Sequence, residues 1–173
     1  MIQEASARPE WIARLAVEER ERDATTAAAR NAAARDAALV TTQGPRLLES
    51  LATIVSNDVA RFREEFPDDP MRQMAVDLAA DGGFEVRRSA YPTVALNVTP
   101  KWTSGVVACR YRFKPSADLP VREDRFLLGV ASLGPVGDDA YFKHQGSGEG
   151  FASLPALSEY LLTPVFTGRP RIG

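Results

Sequence analysis

A chain of 173 residues, 45% hydrophobic and 25% charged, fits one globular domain with its own core; its net charge of −2 gives no general attraction to nucleic acid or an anionic membrane. One cysteine, Cys109, excludes an internal disulfide, and a single histidine, His144, leaves too few ligands for a zinc site. The charge is uneven: residues 1–83 hold 10 basic against 15 acidic side chains, and residues 84–173 hold 11 against 8.

Residues 1–8 read as a loose leader without the apolar run of a signal peptide, and no run is apolar over a membrane's thickness. The expected setting is the cytoplasm, with no membrane association. Arginine outnumbers lysine 18 to 3, a bias that the codon usage of a high-GC, bacterial-like genome explains as well as any guanidinium chemistry.

Pro9 suits the first turn of a helix running to about Val40. Its large apolar residues sit near the ends, with Trp11, Ile12 and Leu15 at the start and Leu39 and Val40 at the finish. Between them lies a charged stretch and then an alanine-rich one, helix-forming but poor in area to bury. Such a helix suits docking on a partner helix, with Trp11, Ile12, Leu15, Ala27, Ala28, Ala34 and Ala38 as the candidate contact residues. Gly44-Pro45 predicts a break or sharp kink. A second helix then carries Leu48, Leu51, Val55, Val59, Phe62 and Phe66 at a spacing of three and four, a stripe broad enough to cover a sheet, with Phe62 central to it. Residues 71–80 suit helix by composition. Yet Met74, Val76 and Leu78 alternate before Asp81-Gly82-Gly83, which favours an edge strand.

Residues 84–145 organise the chain. Short alternating runs at 84–87, 92–98, 105–114, 126–131 and 141–145 are separated by turn chemistry at 101–105, 115–120 and 134–139, the pattern of an antiparallel meander. Glycines at 146, 148 and 150 predict a flexible linker. Ser153 then caps a short helix that Thr163-Pro164 should stop. The expected fold is α+β: a long N-terminal helix, a second amphipathic helix on a five- or six-stranded antiparallel meander, and a short C-terminal helix. Three parts are expected, namely a helical arm (1–43), an α+β domain (44–166) and a flexible tail (167–173).

No motif supports catalysis, a cofactor or a metal. Cys109 falls at a core-facing strand position, where burial makes a thiol inert. Asp68-Asp69 and Asp138-Asp139 lack calcium-loop spacing. With Phe84, Val107 and Phe126 facing the core, the period of two sends Arg87, Arg110, Arg112, Arg125 and Lys143 to the opposite face, with Tyr141 among them. Guanidinium groups pair bidentately with oxyanions, so this face is the anion-binding candidate. One aromatic is too few for a sheet that stacks RNA bases, so nucleic acid is disfavoured. The expectation is a non-enzymatic interaction protein that oligomerises or docks a protein partner through its first helix. The alternative is a small binding module for a phosphorylated or acidic ligand on the arginine face.

Overall fold

The computed structural model describes residues 9–132 and 140–172. The leader at 1–8, the turn at 134–139 and the Asp138-Asp139 pair lie outside the described residues.

Helix α1 spans Glu10–Glu65. Six strands follow: β1 (Met74–Leu78), β2 (Phe84–Arg88), β3 (Thr93–Lys101), β4 (Val106–Lys114), β5 (Arg122–Ser132) and β6 (Ala140–His144). Helix α2 (Leu154–Thr167) comes last. The strands lie in one sheet in chain order, each antiparallel to the next, so the fold is α+β with a six-stranded meander. Contacts divide the chain into two units between Ala37 and Ala38.

Within residues 71–80, Met74–Leu78 form an edge strand, after a 3-10 turn over Pro70–Arg72. Gly83 N–H donates to Asp81 Oδ1 at 2.9 Å and Ala79 N–H to Gly83 O at 2.8 Å, closing a hairpin that sets Val76 against Val86. Alternation prevails over composition here because β2 offers Met74 a buried place on its apolar side.

Two expected helix ends are corrected. Gly44-Pro45 does not break α1, which runs through Pro45. A helical proline costs about 3 kcal/mol, whereas fully burying one leucine or valine returns about 1.5–3 kcal/mol. Leu48, Leu51, Val55 and Val59, all at most 2% exposed, hold the turns that follow. Gly44 serves a close approach instead: a Cβ there would lie 2.8 Å from the Trp102 indole. Likewise α2 passes through Pro164, which is buried, and ends at Gly168 in the left-handed conformation.

The core lies between the helices and one face of the sheet. Leu48, Leu51 and Val55 of α1 and Leu157, Leu161 and Val165 of α2 pack with Phe84, Leu96, Val107, Tyr111 and Leu128. Phe62 is peripheral rather than central; it is half-buried and stacks on Phe166 with ring centroids 4.0 Å apart. One side-chain hydrogen bond joins the sheet to α2 and another joins the two helices. The Tyr111 hydroxyl donates to Leu161 O at 2.6 Å, and the buried Ser158 hydroxyl donates to Asp58 Oδ2 at 2.7 Å, linking α2 to α1. Because Asp58 is half-buried and water can replace its lost partner, Ser158→Ala is expected to cost about 1 kcal/mol, read by urea denaturation.

The glycine stretch after β6 is a hydrogen-bonded turn rather than a linker. His144 N–H donates to Glu149 O at 2.7 Å and Phe151 N–H to Phe142 O at 3.1 Å, folding residues 149–151 back along β6. Beyond α2, Gly168 is buried and the Arg171 guanidinium lies 3.3 Å over the Tyr160 ring.

Candidate functional site

The register fixes both faces of the sheet. Phe84, Val98, Cys109 and Phe126 are successive cross-strand partners on the helix-covered face. Asp77, Glu85, Asn97, Arg110 and Arg125 are partners on the open face, and Ala75, Arg87, Ala95, Arg112 and Glu123 form the next row on it. Lys143, opposite Gly129, and Tyr141, opposite Ala131, face the same way. All five candidate cations therefore share one face.

They do not share one environment. Arg87 is clamped by Asp77, in a short contact, and by Glu85 at 3.2 Å. Arg112 pairs with Glu123 at 3.5 Å and Arg125 pairs with it at 2.8 Å. The hydrogen bond from Arg125, followed by the charges of Arg125, Arg110 and Arg112, holds the Glu123 carboxyl below the usual carboxylate range. Among the described residues, Arg110 and Lys143 make no ion pair within 4.0 Å. The face is thus graded: Arg87 on β2 has two carboxylates, Asp77 and Glu85, whereas Arg112 and Arg125 on β4 and β5 share one, Glu123.

Two concavities divide the arginines. One, of about 420 Å³, is lined by Asn97, Thr99, Lys101, Arg110, Arg125 and Leu127, with no carboxylate among its lining residues. The other, of about 410 Å³, takes Arg87 and Arg112 with Arg88 and Lys114. Lys143 lines neither. Asn97 falls on the outward side of the expected strand at 92–98 but carries no charge, and Thr99 and Lys101 lie beyond that strand's expected end. Carrying the β3 alternation on from Asn97 across Pro100 would have found them.

The chain's one cysteine and one histidine lie on the covered face. Cys109 is 1% exposed, and burial pushes its thiol well above the ordinary value. His144 stacks on Phe126 with centroids 5.0 Å apart, and its Nδ1 accepts the Ser147 N–H at 3.0 Å. Among the described residues, no three His, Cys, Asp or Glu side chains are grouped to hold a metal ion, and no helix is long and apolar enough to cross a membrane.

The arm, taken by itself, is the first part of α1. Trp11, Ile12 and Leu15 are 59%, 40% and 46% exposed, and Ala27, Ala28, Ala34 and Ala38 are exposed as well. These residues do not form one surface. At about 100° per residue, Trp11, Ile12 and Leu15 fall within about 100° of arc. Ala27, Ala34 and Ala38 share a second stripe, and Ala28 falls about 100° off it. The area worth burying is concentrated in the first patch.

The chain matches no protein-family model, no curated protein and no solved structure.

Proposed function

We propose that this chain is a non-enzymatic interaction protein that docks a protein partner through the beginning of α1. The observation that carries it is the cluster of Trp11, Ile12 and Leu15, each at least 40% exposed on a helix. Trp11 and Leu15 stand four residues apart and Ile12 and Leu15 three apart, the anchor spacing of a helix that lays one face into an apolar groove. Tryptophan is also enriched among the few residues that carry most of an interface's energy. The alanine stretch behind the patch keeps the helix formed at little entropic cost, presenting the anchors already ordered.

The test is light scattering on the purified chain, together with affinity capture from the native host. It compares the wild type with a triple variant, Trp11→Gln, Ile12→Gln and Leu15→Gln, which retains helix propensity. Each anchor is expected to contribute more than about 1 kcal/mol, so the triple variant should lose its partner, or its dimer if the partner is a second copy, by at least a hundredfold in affinity. Its melting temperature should not change, because none of the three is buried. A wild type that stays monomeric and captures nothing that the variant fails to capture would refute the proposal.

A further inference from the structure

We infer that the 420 Å³ concavity on the open face of the sheet is a binding site for a small amphipathic dianion, a phosphomonoester or dicarboxylate joined to a flat apolar body. The inference narrows the arginine face to one part of it and is independent of the docking arm.

Three observations converge. First, Arg110 and Arg125 are directly opposed across β4 and β5, an arrangement of like charges that destabilises a sheet. A broken local rule without a structural return is what a binding site looks like. Glu123 relieves Arg125, yet Arg110 is left without an ion pair among the described residues.

Second, the polar groups around the cavity are mostly donors. Lys101, Arg110 and Arg125 supply three cations, an excess of two positive charges once the Glu123 carboxylate paired with Arg125 is counted. The Thr99 hydroxyl donates to Asn97 Oδ1 at 2.7 Å, which leaves the Asn97 amide nitrogen to donate elsewhere. Two guanidinium groups and an ammonium suit two negative charges better than one, and a phosphate or paired carboxylates can accept bidentately from arginine.

Third, the cavity has an apolar side. Leu127, 40% exposed, lies on the open face of β5 beside Arg125 and can cover a ring or short hydrocarbon. The volume lies in the range of about 300–1,000 Å³ usual for small-molecule sites. The neighbouring concavity is the weaker candidate: both contain an arginine paired with Glu123, but its second, Arg87, is held by Asp77 and Glu85.

The test titrates the full-length chain with 1-naphthyl phosphate and, separately, inorganic phosphate, followed by amide NMR shifts. Naphthyl phosphate is expected to saturate at one per chain, moving the Asn97, Thr99, Arg110 and Leu127 signals, with inorganic phosphate at least tenfold weaker. Arg110→Gln should weaken both at least tenfold. Leu127→Ser should weaken naphthyl phosphate alone, and Arg87→Gln should change neither. The absence of a saturable shift at these residues overturns the site. So does an Arg87→Gln effect equal to that of Arg110→Gln, which would mean diffuse attraction to the whole face.

Discussion

Leu51→Ala is expected to lower the free energy of unfolding by about 2–5 kcal/mol, the range for emptying a fully buried leucine site. Leu51 is 0% exposed on α1, between Leu48 and Val55, within the core cluster that the sheet shares. The surroundings can collapse only partly, because Leu96 and Val86, both 0% exposed, are fixed by cross-strand pairing. Phe62→Ala should cost distinctly less. Its ring is larger, but it is half-buried and stacks on Phe166 near the end of α2, with Phe66 beside it. Guanidinium denaturation of both variants checks the order. Equal losses would mean that the core extends to the ends of the helices rather than centring on the four residues from Leu48 to Val59.

Much of this arrangement was legible in the sequence, for a reason that also explains what was not. A strand side chain's direction depends only on parity, so one secure run, Val107, Cys109, Tyr111 and Phe113 against Arg110 and Arg112, sets the faces of the whole meander once the partners are in register. Helix ends are less legible. Gly44-Pro45 and Pro164 carry the local chemistry of a stop, and tertiary packing overrides both, through Leu48 and Leu51 in one case and Leu161 and Val165 in the other. The concavity was legible only in part. Arg110 and Arg125 could be assigned a face, but their opposition across two strands is a register fact, and register comes from pairing rather than from either strand alone. Parity puts Glu85 beside Arg87 and Glu123 beside Arg125 on their own strands; the pairs from Asp77 to Arg87 and from Glu123 to Arg112 cross strands and follow only from the register.

Gly168→Ala is expected to be as damaging as a core truncation, although it adds a single methyl group. Gly168 ends α2 with φ of 67°, where a residue with a Cβ pays about 1–2 kcal/mol. The position is also buried: a Cβ would stand 2.5 Å from Pro92 Cγ and 3.5 Å from Arg88 Cζ. Forcing a methyl into such packing costs about 1–3 kcal/mol more, giving about 2–5 kcal/mol in all. The site joins the last turn of α2 to the β2–β3 end of the sheet. There Arg88 donates to Phe166 O at 2.7 Å, a cation on a helix C-terminal carbonyl. Relieving the overlap means displacing Pro92 or α2, and moving α2 loosens that hydrogen bond. Asparagine separates the two contributions, because it tolerates the left-handed conformation but not the lack of space. If conformation alone mattered, Gly168→Asn would melt close to the wild type; with the overlap against Pro92, it should melt no higher than Gly168→Ala. Thermal unfolding of the pair, followed by the circular dichroism of α2 and the sheet together, decides between them.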